Sequence, residues 1–141
     1  MENMNKNIRF KLDIDVRFRD LDALGHVNNA VYFTYFEEGR KSFFDNLYPE
    51  RDLYDFRFIL AHLRCDFITQ VTLKDRLALH MTAGDIGRKS FKLYYELTDR
   101  NNYEIVFAKA ESVQVCYDYK SNETIRVSDE LKQQLSKYID K

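Results

Sequence analysis

Residues 16–40 of this 141-residue chain read VRFRDLDALGHVNNAVYFTYFEEGR, and this stretch decides the fold. It passes from the end of an alternating segment through two aspartates and a Gly-His-Val-Asn-Asn turn into an aromatic run. An Asn side chain at position 28 or 29 can accept hydrogen bonds from unpaired first-turn amides, which predicts a helix from there through residue 44. The first half of this helix is apolar on almost every side, and that pattern is typical of a buried helix.

The segments on either side of this helix alternate polar and apolar residues, as strands do. Residues 9–18 alternate without a fault before the helix. Four more strands are predicted after it, at about residues 58–68, 75–84, 90–98 and 104–117. Short turn signals between the later strands favour antiparallel hairpins, and a final helix is predicted over about 128–140, capped by Ser128. We therefore predict an α+β architecture, in which an antiparallel sheet wraps a long central helix.

Length and composition indicate one domain, since single cores usually form from roughly 100 to 200 residues. We expect it to occupy residues 1–141, with its core at about 9–118. Ten Tyr and eleven Phe can build this core without disulfides or metals. Cys65 and Cys116 lie in strand-like runs and share no paired or metal-ligand spacing, so both are expected to be reduced core residues.

The charge pattern argues against two classes of partner. Basic and acidic residues number 22 and 23 and are intermixed, so the net charge of -1 creates no strong field for nucleic acid or an anionic membrane. No apolar run approaches the ~18 residues that span a bilayer, and the polar start MENMNKN lacks a secretory signal. We expect a cytoplasmic protein that binds a small molecule or another protein.

Metal and triad chemistry find little support in the residue pattern. A calcium loop around Asp20 and Asp22 would need oxygen ligands where Leu24 and Val31 stand. The three histidines are far apart in sequence and show no zinc-ligand spacing. A Gly-x-Ser-x-Gly elbow is absent, and neither cysteine has the local context of a nucleophile. We therefore expect no metal site.

What remains is a carboxylate directly before a helix N-terminus. Unpaired amides and the helix dipole stabilise negative charge there, as an oxyanion hole must when a thioester carbonyl is attacked. Asp22 can serve either as a general base on water or as the nucleophile itself. We interpret Asp20 as a residue that ends the strand or orders the turn.

The pattern F-x-D-x-D-x-x-G-H-V-N-N-x-x-Y-x-x-Y-x-E-x-x-R resembles the 4-hydroxybenzoyl-CoA thioesterase and YbgC-like family of the hotdog superfamily. It is carried by Phe18, Asp20, Asp22, Gly25, His26, Val27, Asn28, Asn29, Tyr32, Tyr35, Glu37 and Arg40. The resemblance implies a hotdog fold and a catalytic Asp22, with the backbone N–H of Asn29 polarising the thioester carbonyl. The His-Val-Asn-Asn turn matches the acyl-CoA form of the family rather than the aromatic 4-hydroxybenzoyl form.

Substrate contacts within the motif are assigned to Gly25, His26, Asn28 and Tyr32. Two of these residues have a second interpretation. His26 could instead hold the Asp22 turn by a hydrogen bond, because imidazole suits both roles. Tyr32 could belong to the core with its aromatic neighbours, because one helix face must bury against the sheet.

A second family feature is the segment Ile86-Gly87-Arg88-Lys89-Ser90. In related enzymes a Gly and a small hydroxyl residue lie here near pantetheine and nucleotide. Arg88 and Lys89 would then meet the phosphates of coenzyme A, and Ser90 the pantetheine. The alternative is that both basic residues are ordinary solvated turn charges.

The leading hypothesis is hydrolysis of an acyl-CoA thioester to a free acid and coenzyme A. No cofactor is expected, since coenzyme A is part of the substrate. The resemblance implies a homodimer or homotetramer whose pocket is shared between subunits, so Arg88 and Lys89 would serve a neighbour's site. An acyl-carrier-protein thioesterase and a non-catalytic acyl-thioester binding protein of the same fold are the alternatives. Glu37 is open to water positioning or to an i, i+4 ion pair with Lys41.

Overall fold

The computed structural model describes residues 9–50 and 57–139. Its elements are β1 (Phe10–Asp15), a short 3-10 helix (Phe18–Asp20), α1 (Asn29–Leu47), β2 (Phe58–Phe67), β3 (Arg76–Gly84), β4 (Ser90–Asp99), β5 (Val106–Asp118), β6 (Glu123–Thr124) and α2 (Asp129–Ser136). The predicted order of strand, long helix, four strands and final helix is confirmed. The predicted end of the first strand at Phe18 is wrong, because the chain leaves the sheet after Asp15 and turns.

The sheet has the strand order β1-β3-β4-β5-β2, with β6 attached to β5. Every pairing is antiparallel. The first strand after the helix therefore does not lie next to β1 but forms the far edge of the sheet. Asp15 pairs with Arg76 at one end of the sheet, and Phe67 pairs with Ala108 at that same end. The chain therefore leaves β1 and β2 at this end, which is called the site end below.

Helix α1 packs against one face of the sheet, and the alternation of the strands supplies that face. Its inward side chains are fully or partly buried: Phe10, Leu12 and Ile14 on β1, Leu77, Leu79 and Met81 on β3, and Phe91, Leu93 and Leu97 on β4. Gly39 allows the helix a close approach, because an added Cβ would overlap Leu79 and lie 2.9 Å from the Met81 sulfur. Phe44, further along the helix, stacks on Phe58 with ring centroids 4.3 Å apart. Helix α1 therefore runs from the site end towards the opposite end of the sheet.

The outer face of the sheet, which α1 does not cover, carries paired charges. Glu96 lies between Arg9 and Lys109 at 4.0 and 3.8 Å, and Glu111 lies between Arg64 and Lys92 at 3.6 and 3.4 Å. These ion pairs link the neighbouring strands β4, β5 and β2, and they join Arg9, directly before β1, to β4.

His80 is a buried titratable residue on this outer face. Its Nε2 lies 3.0 Å from the Thr98 hydroxyl, and its ring meets the Tyr103 ring edge to face. Burial, together with the positive charges of Arg9 and Lys11, lowers the pKa of His80 to about 4. The imidazole is therefore neutral at physiological pH.

Both cysteines are free thiols in the described structure, Cys116 buried and Cys65 half-buried. Burial raises the pKa of each thiol to about 11, so both sulfurs stay protonated and unreactive at neutral pH. Their interpretation as core residues is confirmed. No helix within the described residues is long and apolar enough to cross a membrane.

The close approach at Gly39 gives the first testable expectation. We expect Gly39→Ala to destabilise the protein by about 1–2 kcal/mol, because the new methyl group must displace Leu79 and Met81 and this outweighs the gain in helix propensity. Urea unfolding monitored by circular dichroism measures the change. Thr34→Ala on the exposed side of the same helix is the control and should cost nothing. An equally stable Gly39→Ala would show that the helix does not lie this close to β3.

Candidate active site

The turn between the 3-10 helix and α1 is closed by its own backbone. The Asp22 N–H donates to the His26 carbonyl at 2.7 Å, and the Gly25 N–H donates to the Asp22 carbonyl at 3.1 Å. Gly25 has a φ of +83°, in the left-handed region that a residue without Cβ adopts at little cost. Gly25, which is predicted to contact the substrate, therefore allows the conformation of the turn.

The Asp22 carboxylate is held at one oxygen only. Its Oδ1 accepts from the backbone N–H of Leu24 at 2.9 Å and from that of His26 at 3.2 Å. Within residues 9–50 and 57–139, no hydrogen bond engages Oδ2. The side chain is exposed, so this second oxygen faces outward while the first fixes its orientation.

His26 holds the Asp22 turn through its main chain. Its N–H donates to Asp22, and its backbone also forms a bridge to Thr72. The hydrogen bond that holds the turn is therefore made by the backbone amide of His26 and not by its imidazole. The ring is half-buried and lies beside the cleft described below.

Helix α1 begins at Asn29, and Asn28 is its cap. The Asn28 side-chain Oδ1 accepts from the Ala30 N–H at 2.9 Å, and its carbonyl accepts from the Val31 N–H at 2.9 Å. This decides between the two asparagines that the sequence left open. The Asn29 N–H has no acceptor among the described residues, which is the usual state of a first-turn amide. It is therefore available to a carbonyl oxygen of a ligand.

Asp20 holds the turn and the start of α1 in place through hydrogen bonds. Its side chain is buried, and Oδ2 accepts from the Tyr35 hydroxyl at 2.7 Å and from the Arg17 N–H at 2.9 Å. The Asp20 carbonyl also accepts from the Asn28 N–H at 2.9 Å. Burial and the adjacent Asp20 carboxylate raise the pKa of Tyr35, so the phenol remains a donor. The interpretation that Asp20 orders the turn is confirmed, whereas its partner Tyr35 was not identified from the sequence.

A cleft of about 370 Å³ opens beside these groups. It is lined by Asp22, Leu24, His26, Val27, Asn29, Tyr32, Phe67, Ile68, Thr69 and Gln70. Tyr32 is almost fully buried and meets the Phe67 ring edge to face, with centroids 5.0 Å apart. It is therefore both a core residue and part of the cleft wall. Four of the predicted site residues thus meet in one cleft, while Gly25 and Asn28 shape its turn.

Arg88, Lys89 and Ser90 lie elsewhere in the chain. Ser90 begins β4 and pairs with Val115, at the end of the sheet opposite the site end. Ten residues of β4 separate them from the site end, a distance of about 30 Å. The Lys89 ammonium donates to the Thr124 hydroxyl at 3.0 Å. These three residues therefore do not reach the Asp22 cleft of their own chain.

The structure also bears on the predicted ion pair between Glu37 and Lys41. Lys41 donates to Asp45 at 3.1 Å, one helical turn further on, rather than pairing with Glu37.

Among the described residues, no group of His, Cys, Asp and Glu side chains is arranged to hold a metal ion. Acid–base chemistry at the helix start is what the side chains present can perform.

Comparisons with known proteins agree with this geometry. A family model of the Thioesterase-like superfamily matches residues 16–135. A 1,4-dihydroxy-2-naphthoyl-CoA hydrolase of Nostoc punctiforme is 30% identical over 130 residues, covering 89% of this chain and 86% of that protein. The long-chain acyl-CoA thioesterase FadM of Escherichia coli is 26% identical over 128 residues, covering 89% and 96%. A Thermus thermophilus thioesterase solved with coenzyme A and Zn superposes with a TM-score of 0.78 at 28% identity, covering 89% and 90%.

The bond between Tyr35 and Asp20 gives the second expectation. We expect Tyr35→Phe to lower the free energy of unfolding by about 1–3 kcal/mol, because it removes a donor from a buried carboxylate. Urea unfolding gives this value. Tyr119→Phe, which removes an exposed hydroxyl, is the control and should change stability by less than about 0.5 kcal/mol. Equal effects of the two variants would contradict the anchoring role of Asp20.

Proposed function

The chain belongs to the thioesterase-like superfamily, and on this premise we propose that it hydrolyses acyl-CoA thioesters to a free acid and coenzyme A. One observation carries the proposal: the exposed Asp22 carboxylate stands beside the unpaired Asn29 N–H in one cleft. A base or nucleophile and an oxyanion donor are the two groups that thioester hydrolysis requires.

In the proposed mechanism the thioester carbonyl oxygen accepts from the Asn29 N–H at the start of α1. Charge that develops on this oxygen is stabilised by the amide and by the helix dipole. With Asp22 as general base, Oδ2 takes a proton from water while the water oxygen bonds to the carbonyl carbon. Collapse of the tetrahedral intermediate then breaks the carbon–sulfur bond and releases coenzyme A as a thiolate, which takes up a proton.

The alternative role of Asp22 is nucleophilic. Oδ2 would then bond to the carbonyl carbon and expel the thiolate, and water would hydrolyse the resulting mixed anhydride. Both routes use the same oxygen, since Oδ1 is occupied by the amides of Leu24 and His26. Incorporation of ¹⁸O from labelled water into Asp22 during a single turnover would establish the nucleophilic route, with water attacking the Asp22 carbonyl of the anhydride.

Coenzyme A as the leaving group is supported by the relatives. Two of them are named for acyl-CoA substrates, one aromatic and one long-chain, and a third was solved with coenzyme A. The part shared by these three ligands is coenzyme A. The choice of acyl group therefore depends on residues outside the Asp22 turn.

We also propose that the protein assembles as a dimer through β2. This strand has ten residues and forms an edge of the sheet, with Leu60 and Phe67 both nearly half exposed. An exposed apolar edge strand is a template for pairing with a second chain. Arg64 and Asp66 stand two residues apart on the outer face, so antiparallel pairing centred on Cys65 places each opposite its counter-charge in the second copy.

Such a pairing would also give Arg88 and Lys89 a role. A two-fold axis at Cys65 reverses the direction of the second copy, so its Ser90 end comes to the site end of the first. The basic residues of one chain would then approach the cleft of the other. This supports the predicted contact with the phosphates of coenzyme A, made across the dimer.

Replacement of the proposed catalytic carboxylate is the direct test. We expect Asp22→Asn to fold normally, because its Oδ1 can still accept from the two turn amides. Thiol release from a panel of acyl-CoA esters should fall by at least about 10³-fold, because neither proton abstraction nor attack remains. Asp118→Asn, whose side chain caps a similar turn through the Lys120 N–H, is the control and should retain full activity. Normal turnover by Asp22→Asn would refute the assignment of Asp22 as the catalytic carboxylate. If only esters of acyl carrier protein are hydrolysed, acyl carrier protein takes the place of coenzyme A in the proposed function.

Charge reversal on β2 tests the dimer. Arg64→Asp should shift the protein towards monomer in sedimentation velocity, because it opposes two carboxylates across the proposed interface. The double variant Arg64→Asp with Asp66→Arg should restore the dimer. Arg9→Asp also removes an outer-face ion pair but lies directly before β1, the other edge strand, so it should leave assembly unchanged. A dimer insensitive to all three changes would place the interface elsewhere.

A further inference from the structure

A second cleft lies between the middle of α1 and the start of β2, with a volume of about 280 Å³. Its apolar walls are Phe44, Phe58, Ile59 and Leu60, and its remaining lining residues are Glu37, Arg40, Lys41 and Gln114. Gln114 is buried, with only 1% of its surface exposed, and among the described residues it is the one uncharged polar side chain that lines this cleft. A buried amide beside these apolar side chains calls for an explanation.

The orientation of this amide is set by a chain of hydrogen bonds. The Arg40 Nη1 donates to the Tyr95 hydroxyl at 3.2 Å, and that hydroxyl lies 2.6 Å from the Ser112 Oγ. Because a guanidinium only donates, the Tyr95 proton goes to Ser112, whose own proton goes to the Gln114 Oε1. The Gln114 Nε2 in turn donates to the Phe91 carbonyl at 3.2 Å. The carboxamide therefore cannot exchange its oxygen and nitrogen without breaking the chain.

One N–H of the Gln114 amide is not used by this chain of hydrogen bonds. The Nε2 carries two N–H groups, and the Phe91 carbonyl uses one. Within the described parts of the chain, no acceptor is found for the second. A buried donor without an acceptor is costly, so a ligand atom that accepts from it would be favoured over one that cannot.

The charged groups of the cleft lie on α1. Arg40 uses one of its five N–H donors on Tyr95, and Lys41 uses one of three on Asp45, so both can also donate to a ligand. Gln114 differs from them because its donor is uncharged and buried. A hydroxyl or ketone oxygen is an acceptor that suits this donor.

In the proposed dimer, the Gln114 cleft of one chain lies next to the Asp22 cleft of the second copy. Gln114 pairs with Leu60 and Phe91 at the end of the sheet opposite the site end, so it is remote from Asp22 of its own chain. In the proposed antiparallel pairing centred on Cys65, Leu60 of one chain comes opposite Gln70 of the second copy. Leu60 lines the Gln114 cleft, and Gln70 lines the Asp22 cleft. The Gln114 cleft of one chain thus continues the Asp22 cleft of the other.

We propose that the Gln114 cleft receives the far end of the acyl group bound at the second copy's Asp22, and that it selects acyl groups bearing a hydroxyl or ketone oxygen there. This inference rests on the proposed thioesterase function and dimer. A site that offers a buried donor discriminates strongly against a substrate without the matching acceptor. Gln114 is therefore the specificity residue for the acyl tail.

The test compares matched acyl-CoA pairs of equal chain length, one a plain hydrocarbon and one with a hydroxyl or ketone near its far end. For the native protein we expect kcat/KM to favour the best oxygenated ester by about tenfold or more. In Gln114→Met, which keeps the volume and removes the donor, this preference should vanish. Gln133→Met, at an exposed glutamine of α2, is the control and should retain the preference. An unchanged preference in Gln114→Met, or none in the native protein, overturns the inference.

A second variant covers the case in which Gln114→Met does not fold. Leu60→Trp fills the exposed wall of the cleft and should lower kcat/KM for long esters relative to acetyl-CoA. An unchanged ratio shows that acyl tails do not enter this cleft, and it overturns the inference. Acetyl-CoA also separates the two proposals: Asp22-dependent hydrolysis of acetyl-CoA without any oxygen preference refutes only the Gln114 role. If no CoA ester is hydrolysed, the thioesterase proposal itself fails.

Discussion

The hydrogen bond between the buried Asp20 carboxylate and the Tyr35 hydroxyl is the constraint on which the candidate site depends. A buried carboxylate is tolerated only when donors surround it, and here they come from the strand exit at Arg17 and from the second turn of α1. The Asp20 carbonyl also holds the Asn28 N–H. One residue thus sets the position of the helix start relative to the chain that carries Asp22. The distance between the proposed base and the oxyanion amide follows from that position.

Much of this arrangement could be predicted because it is local in sequence. The cap at Asn28, the turn around Gly25 and the exposed Asp22 lie within a few residues of one another, and short-range signals identify them. The strands were predicted nearly to their ends because alternation reports one buried face. Their order could not be predicted, since alternation does not identify the neighbour of a strand. The placement of β2 at the far edge is a property of the whole sheet.

What the sequence did not reveal consists of contacts between distant residues. Tyr35 is one of several aromatic residues in α1, and nothing local separates the one that meets Asp20 from those that meet the sheet. The hydrogen-bond chain from Arg40 to Gln114 joins α1, β4 and β5, so no spacing along the chain announces it. The role of Arg88 and Lys89 stays a prediction. Their residue types suit a phosphate, but their position lies about 30 Å along β4 from the cleft of their own chain.

The buried His80 of the outer face links protonation to folding. In the unfolded chain this imidazole has the ordinary pKa of about 6.5, whereas in the folded protein burial and the nearby cations Arg9 and Lys11 lower it to about 4. Its contribution to stability is therefore complete above pH 6.5 and is lost as the pH falls towards 4. The difference between the two pKa values corresponds to about 3 kcal/mol at most. Mild acid therefore weakens the folded state through this one imidazole, in the range between about pH 6.5 and pH 4.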